Sequence, residues 1–255
     1  MNYYYFMIKN IIGNKIYIFD KLSSTMDKSK ELINNGVSNG TVIVARYQTK
    51  GRGSNNRDWI SEGNDALFSI ILDIDKSKVN LLSIVSAYSV LSMFEDILSN
   101  EEIKIKWPND VLVNCKKISG TLIENVIHGN MVKSVVGIGI NINSRHKSTN
   151  NFIYPSVSLI ELIGKEFDIL TVIKMYLSKF SVYYSKLINN KIDIENISKN
   201  LYGLQKKVSF RTNYLNKKNN SNDLYKIINL NKDGTLRVED SNGDEINLSA
   251  SEISN

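Results

Sequence analysis

The sequence contains few cysteines and prolines, and each shortage excludes a class of structure. The single cysteine, Cys115, excludes an internal disulfide bond and fits a reducing compartment, so we expect a cytoplasmic location. Two prolines, no repeat and no Gly/Ser-rich linker argue against a string of separate domains. No obvious Ser–His–Asp or Cys–His set occurs, so the sequence does not indicate an enzyme with its own covalent nucleophile.

Long apolar runs and a targeting segment are also missing. No stretch of about 18 or more apolar residues occurs, which argues against a membrane-spanning helix. The aromatic-rich start, residues 1–6, lacks the basic region and small-residue cleavage site of a secretory signal. The net charge of +6 comes largely from lysines spread among asparagine and isoleucine. We therefore interpret it as a solubility feature before a nucleic-acid-binding one.

Hydrophobic periodicity predicts an α+β domain over residues 1–200. Apolar residues recur at helical spacing in three segments, the second of which we expect to be amphipathic. These helices are expected at 26–35, 81–98 and 170–188. Ser23, Ser24 and Thr25 stand where the N-cap of the first helix belongs. Strands are expected at 15–19, 41–47, 66–74, 102–107, 111–113, 121–127 and 133–143.

Residues 201–255 differ in character and predict a separate small β domain. Short apolar runs alternate there with Asn-Lys-Asp-Gly and Ser-Asn-Gly-Asp turns. The expected strands are 207–210, 224–230, 235–239 and 245–248. This pattern predicts a small antiparallel barrel or sheet attached to the α+β domain.

A glycine- and arginine-rich segment, residues 51–59, lies in a long stretch without periodicity. Gly51 and Gly53 let backbone amides approach an anion closely. Arg52 and Arg57 supply planar donors for carboxylate or phosphate, and the tryptophan that ends the segment offers an aromatic surface. The alternative interpretation is a flexible basic turn. The spacing fits neither a P-loop nor a Rossmann fingerprint.

Residues 106–110, Lys-Trp-Pro-Asn-Asp, directly follow a predicted strand. A proline there ends strand pairing and fixes the turn. Asn109 presents both a donor and an acceptor, which matches the edge of a purine. Asp110 is placed to hold a metal ion, or to position Lys117 or an arginine. The alternative is an ordinary Pro-Asn-Asp β-turn.

The strand predicted at 133–143 alternates strictly between apolar residues and a face of glycine and asparagine. Gly137, Gly139, Asn141 and Asn143 form that second face. Protein interiors are close-packed, so we expect a ligand or another backbone to fill the space beside these residues.

Four motifs, taken together and in order, resemble those of biotin–protein ligases. They are Gly-Arg-Gly-x-x-x-Arg-x-Trp, Lys-Trp-Pro-Asn-Asp, Lys-Ile-x-Gly-x-Leu-Ile-Glu and Gly-Ile-Gly-Ile-Asn. The resemblance is strong over residues 17–143 and looser beyond. It implies a mixed β-sheet flanked by helices on one side, the class II aminoacyl-tRNA synthetase-like catalytic fold, followed by a small SH3-like barrel.

The resemblance also implies roles for individual residues. Lys117, Arg52 and Arg57 would be catalytic, with Lys117 near the biotin carboxylate. The biotin site would be formed by Ser24, Thr25, Gln48, Gly51, Arg52 and Lys117. The ATP and adenylate site would be formed by Gly53, Ser54, Arg57, Trp59, Asn109, Asp110 and Asn141. Asp110 would also lie near Mg²⁺. Ser54 departs from the family, because many relatives carry an arginine there that helps to retain the adenylate.

The implied reaction joins biotin to a lysine of a biotin carboxyl carrier protein of acetyl-CoA carboxylase, with MgATP consumed and biotinyl-5′-AMP as intermediate. About 14 residues precede the first predicted strand, too few for a winged helix, so we expect the monofunctional type without specific DNA binding. Homodimers are common among relatives, and a homodimer is therefore possible here. Two alternatives stay open: a lipoate ligase or octanoyltransferase, and a non-catalytic module that binds biotin or its adenylate.

Overall fold

The computed structural model describes residues 12–54, 57–61, 63–128, 131–145, 155–210 and 224–250. Seven strands form the main sheet, and four more form a second sheet near the C-terminus. The strands are β1 (Ile16–Leu22), β2 (Val42–Gln48), β3 (Ala66–Asp75), β4 (Ile103–Lys106), β5 (Asp110–Val113), β6 (Lys116–His128), β7 (Met131–Ile140), β8 (Lys207–Ser209), β9 (Leu224–Leu230), β10 (Leu236–Glu239) and β11 (Glu245–Leu248). The helices are α1 (Thr25–Asn34), α2 (Val79–Glu95), α3 (Leu159–Ile163), α4 (Ile169–Ile188) and α5 (Ile194–Ser198).

The main sheet is mixed, as predicted. Its order is β1-β2-β3-β7-β6-β5-β4, and β1 pairs with β2 in parallel while every other neighbouring pair is antiparallel. The long strands β3, β6 and β7 lie at its centre. Strand β5 pairs only with the first residues of β6, because β5 is four residues long.

Helices cover both faces of the sheet, so the expectation of helices on one side is wrong. On one face α2 and α4 pack over a large core in which Phe68 meets the ring of Tyr176 edge to face, 5.2 Å between centroids. On the other face α1 is the one helix among the described residues, and its Met26 and Ile33 pack with Ile71 of β3 in a second, small cluster. The face under α1 is therefore only partly covered, which leaves room for a cleft.

Helix α2 is buried on nearly all sides rather than amphipathic, which corrects the sequence expectation. It lies between the sheet and α4, so even Ser86 and Ser89 are fully buried. Ser86 exchanges hydrogen bonds with Thr121 and Tyr176, and Ser89 donates to the carbonyl of Val85. The stretch Lys76–Glu95 is long and apolar enough to cross a membrane, but 72% of it is buried inside the protein, as expected of a core helix.

The start of α1 follows from local sequence chemistry. Ser24 has extended backbone angles and its hydroxyl accepts a hydrogen bond from the amide of Met26, so it is the N-cap predicted from the serine cluster. Gly36, at φ +74°, follows the helix end, as the glycine stop predicts. Two short helices, α3 and α5, were not predicted.

The C-terminal strands form an antiparallel sheet in the order β11-β10-β9-β8. This confirms the small β unit; closure into a barrel stays a prediction, as does the boundary at residue 201. At that boundary the chain runs alongside β4, since Ile105 donates to the carbonyl of Asn200 and accepts from the amide of Tyr202. Trp107 adds a second link, because its indole Nε1 donates to the carbonyl of Gly234 at 3.1 Å.

We expect Gly234→Ala to destabilise the protein by about 2–3 kcal/mol, because two costs coincide there. Gly234 has φ +88°, and an added Cβ would lie 3.1 Å from the carbonyl oxygen of Asn80. Gly243→Ala is the matched control, since Gly243 has the same φ and nothing within 4 Å. Chemical denaturation measures both variants. Equal losses of unfolding free energy in the two variants would show that the contact with Asn80 adds nothing to the cost of the substitution.

Candidate active site

A cleft opens on the α1 face of the sheet, above its central strands. About 480 Å³ of empty space, part of it open solvent, lies between its walls. Its floor includes one row of paired residues on three strands: Asp110 of β5, Gly120 of β6 and Gly139 of β7. The same row continues beyond the cleft lining to Lys106 of β4. Most of the residues singled out in the sequence line this cleft. They are Ser24, Thr25, Gln48, Arg52, Gly53, Ser54, Trp59, Asn109, Asp110 and Lys117.

The glycine face of β7 is filled by side chains, not by a ligand or another backbone as expected. A Cβ on Gly139 would lie within 2.5 Å of Cζ2 of Trp59, and one on Gly137 would lie 2.7 Å from Sδ of Met26. The two glycines therefore make room for one residue of the loop and one of α1. Met26 is a site residue that the sequence did not single out.

Gly120 makes room in the same way for the charged side chains of the site. The sequence did not single it out as a site residue either. A Cβ there would lie 3.0 Å from Nζ of Lys117 and 3.1 Å from Oδ1 of Asp110. With no side chain at Gly120, Lys117 folds back across it and its Nζ reaches Oδ1 of Asp110 at 2.7 Å. The sequence signal was the glycine of the Lys-Ile-Ser-Gly motif.

Polar groups at one end of the cleft are held by a short hydrogen-bond chain. The amide of Thr25 donates to Oε1 of Gln48 at 2.7 Å, and the hydroxyl of Ser69 donates to Oγ1 of Thr25 at 2.6 Å. Ser24, Thr25 and Ser69 are all buried. Ser69 lies on β3, behind Thr25, and the sequence gave no reason to single it out.

The Gly-Arg-Gly segment closes on itself as a tight loop. The amide of Trp59 donates to the carbonyl of Gly51 at 3.0 Å, and the amide of Gly53 donates to the carbonyl of Arg57 at 2.7 Å. A Cβ on Gly51 would lie 2.5 Å from the carbonyl oxygen of Trp59, so this crossing requires glycine. The loop thereby brings Trp59 over the sheet.

Arg52 pairs with acidic residues at the rim of the cleft. Its two terminal nitrogens donate to both carboxylate oxygens of Asp27 on α1, at 2.9 and 2.8 Å, and Nη2 lies 3.5 Å from Oε1 of Glu124. The hydrogen bond from Arg52 lowers the pKa of Asp27, and the bond to Asp27 raises the pKa of Arg52. Arg52 thus fastens the loop to α1 and β6; its predicted contact with phosphate stays a prediction.

Trp59 lines the loop end of the cleft, whereas Arg57, also predicted for the site, is exposed outside the lining. Arg57 donates from Nε to the carbonyl of Ser54 and from Nη2 to the Ser54 hydroxyl, at 3.1 and 3.0 Å. The indole Nε1 of Trp59 is buried and has no hydrogen-bond partner among the described residues. Nζ of Lys117 lies 5.5 Å from the centre of the Trp59 ring.

Asn109 also holds an unused polar atom. Its Nδ2 donates to the carbonyl of Thr121 at 2.6 Å, while its Oδ1 is buried without a partner within the described part of the chain. Buried polar atoms are normally satisfied. Two such atoms on residues of one cleft, Nε1 of Trp59 and Oδ1 of Asn109, indicate a polar ligand, and the free acceptor suits a purine amino group.

Asn141 does not line the cleft. Its side-chain amide donates to the carbonyls of Lys117 and Val157, at 3.3 and 3.1 Å, and so ties the start of β6 to the chain before α3. The backbone of Lys117 is fixed by two further hydrogen bonds: its amide donates to the carbonyl of Pro155, and its carbonyl accepts from the amide of Val157. The place of Asn141 in the adenylate site stays a prediction.

Asp110 does not form a metal site with other residues. Within the described residues no group of three or more His, Cys, Asp or Glu side chains could hold a metal ion. Asp110 is 8% exposed and already bound to Lys117. Mg²⁺ commonly uses only one or two carboxylates together with substrate phosphates, so the place of Asp110 near Mg²⁺ stays a prediction.

Lys106 is a further charged residue of the site that the sequence did not single out. It lies opposite Asp110 at the end of the β4–β5 hairpin. Burial lowers its pKa to about 8; Asp110 opposes this shift, and the charges of Lys117 and Arg57 add to it. Two lysines, Lys106 and Lys117, therefore lie beside the carboxylate of Asp110.

Comparison with known proteins identifies the class to which this arrangement belongs. Residues 18–141 match the sequence profile of the biotin/lipoate A/B protein ligase family. Residues 18–141, just under half of the chain, are therefore a domain of that family. The bifunctional ligase/repressor BirA of Bacillus subtilis is 37% identical over 179 residues, which are 68% of this chain and 55% of the relative. The chain thus spans about half the length of that curated relative.

Two further relatives carry names that specify the substrate of the ligase. A biotin–[acetyl-CoA-carboxylase] ligase of Paracoccus denitrificans is 30% identical over 113 residues, 42% of this chain and 46% of the relative. A biotin protein ligase from Aquifex aeolicus, solved in complex with biotin and ATP, superposes with a TM-score of 0.79 at 26% identity, covering 94% of this chain and 98% of that one. The Paracoccus and Aquifex proteins are both named for the ligation of biotin.

Proposed function

We propose that the protein is an ATP-dependent biotin–protein ligase that forms biotinyl-5′-AMP and transfers biotin to a lysine of a biotin carboxyl carrier protein. The observation that carries this proposal is the single cleft in which Thr25, Gln48, Trp59, Asp110 and Lys117 meet. The structural likeness to an enzyme solved with biotin and ATP supports it. The acceptor is inferred from the relative named for acetyl-CoA carboxylase.

The chemistry of the first step follows from charge. A carboxylate must attack the α-phosphate of MgATP, so two anions have to approach each other, and fixed cations lower that barrier. Lys117 is the cation at the centre of the floor, with Lys106 and Arg57 nearby. Magnesium enters as part of the nucleotide substrate.

The second step needs no enzyme nucleophile, because the acceptor amine attacks the mixed anhydride directly. Trp59 and the loop that carries it lie over the cleft, where they would shield the adenylate from water. Ser54 offers only a hydroxyl at the rim, and that hydroxyl already accepts from Arg57. We therefore propose that Arg57, oriented by Ser54, helps to retain the adenylate.

The test is incorporation of labelled biotin into a purified carrier domain in the presence of MgATP. We expect transfer that requires ATP and is accompanied by biotin-dependent release of pyrophosphate. Lipoate and octanoate, offered in place of biotin, should give neither. Pyrophosphate release with lipoate alone would move the assignment to a lipoate ligase, and biotin binding without pyrophosphate release would indicate a binding module.

Location and assembly extend the same proposal. The exposed free thiol of Cys115 supports a reducing, cytoplasmic location. A homodimer and the absence of specific DNA binding are the remaining predictions for partners.

Ser69→Ala is expected to raise the KM for biotin about five- to tenfold and to leave kcat within twofold. The hydroxyl of Ser69 fixes the orientation of the Thr25 hydroxyl, and one buried hydrogen bond contributes about 1 kcal/mol. Ser92→Ala is the control, because it removes a buried hydroxyl that accepts from Tyr183 on the opposite side of the protein. An unchanged KM in Ser69→Ala would mean that Thr25 needs no such support.

A further inference from the structure

Asp110 lies in the floor of the cleft and has a lysine on each side, Lys106 and Lys117. Lys106 and Asp110 are directly opposed on β4 and β5, so their side chains project from the same face, with Cβ atoms roughly 5 Å apart. Gly120 lies on the other side of Asp110. The side chain of Lys117 passes over Gly120, and its Nζ lies 2.7 Å from Oδ1 of Asp110. One carboxylate therefore has a lysine beside it on each side, of which Lys117 is bound to it.

Lys117 cannot serve this carboxylate and a ligand anion equally well. When its Nζ turns toward a carboxylate or phosphate in the cleft, it moves away from Asp110, which is 8% exposed. Removing one partner of a buried ion pair is strongly unfavourable, because the remaining charge is left without compensation. Ligand binding therefore weakens the pairing of Asp110 with Lys117, and a second partner for Asp110 would offset that loss.

We propose that Lys106 is a positioning residue that takes over Asp110 when Lys117 turns to the substrate anion. The inference rests on the proposed function for the identity of that anion, the biotin carboxylate. Lys106 thereby releases Lys117 without contacting the reacting atoms. The row Lys106–Asp110–Gly120, with Lys117 lying over its glycine, is the arrangement that carries the exchange.

The charges around Lys106 agree with this function. Burial lowers its pKa, the charge of Asp110 raises it, and those of Lys117 and Arg57 lower it again. Movement of Lys117 away from Asp110 strengthens the attraction between Asp110 and Lys106 by removing a competitor. The glutamate nearest to this row, Glu124, is engaged instead by Lys30 and Arg52.

The test is a double-mutant cycle read out as biotin binding by calorimetry, without ATP, so that chemistry does not enter. We expect Lys106→Met to weaken biotin binding about tenfold or more in the wild-type background, but less than threefold in an Asp110→Asn background. Without the carboxylate nothing holds Lys117 back, so Lys106 is no longer needed. Lys106→Arg, which keeps the charge, should stay within threefold of wild type.

Controls separate this idea from its alternatives. Lys104→Met removes a neighbouring lysine of β4 and should bind biotin normally. Equal losses from Lys106→Met in both backgrounds would show a direct contact with ligand and overturn the proposal, and so would an unchanged affinity in the wild-type background. Wild-type protein that binds no biotin and releases no pyrophosphate would instead refute the proposed function, and this inference with it.

Discussion

Replacing Lys117 with alanine is expected to slow biotinyl-adenylate formation by roughly 10²–10³-fold, the usual cost of removing one preorganised charge from a transition state. No other described cation occupies the centre of the floor, since Arg52 is engaged by Asp27 and Arg57 by Ser54. Gly120 leaves the space that Lys117 fills, and Asn141 anchors its backbone carbonyl. The measurement is single-turnover release of pyrophosphate with saturating biotin.

The adjacent residue supplies the control for this prediction. Lys116 is exposed and lies on the same strand, so Lys116→Ala removes an equal charge without reaching the cleft. Lys117→Ala should remain folded, because Asp110 keeps Lys106 as a neighbour across the hairpin. If Lys117→Ala retains more than a third of the wild-type rate while its thermal unfolding is unchanged, Lys117 is not the central cation.

Much of the site could be predicted because its residues lie in short motifs at the ends of neighbouring strands. The turn of residues 106–110 joins β4 to β5, and Lys117 starts β6, so chain connectivity alone brings Asp110 and Lys117 together. The same reasoning holds for Thr25, which is the first residue of α1, lies beside the end of β2 and so meets Gln48. Motif spacing captures such local relations well.

Contacts between segments that are far apart in the sequence could not be predicted from motif spacing. Ser69 and Met26 matter because α1 packs across β3 and β7, a contact set by tertiary packing rather than by any local pattern. The amphipathic expectation for α2 failed for a similar reason, since α4 covers the side of the helix that the sequence left to solvent. The glycines of β7 were recognised as a gap, but sequence periodicity does not say which side chains fill it.

Gly139→Ala is expected to lower kcat/KM for biotin about ten- to a hundredfold, through displacement of Trp59. The added Cβ would lie 2.5 and 2.9 Å from Cζ2 and Cδ2 of the indole, distances that real Cβ atoms do not show. A rigid bicyclic ring relieves such overlap only by moving as a whole, and overpacking of this kind costs about 1–3 kcal/mol. The ring would then lose its position beside Lys117 and over the cleft floor.

Gly137→Ala on the same strand is the matched control for this effect. Its added Cβ would lie 2.7 Å from Sδ and 2.9 Å from Cγ of Met26, an unbranched side chain that relieves overlap by rotating its own bonds rather than by moving as a whole. We therefore expect Gly137→Ala to keep kcat/KM within about fivefold. Only Gly139→Ala should change the fluorescence emission of Trp59. The other tryptophan, Trp107, is bound to Gly234.

Trp59→Leu, added to Gly139→Ala, should restore the lost stability without restoring activity, because the overlap is gone but so is the indole. Equal effects of the two alanine variants would mean that Trp59 moves freely and that Gly139 is not shaped around it.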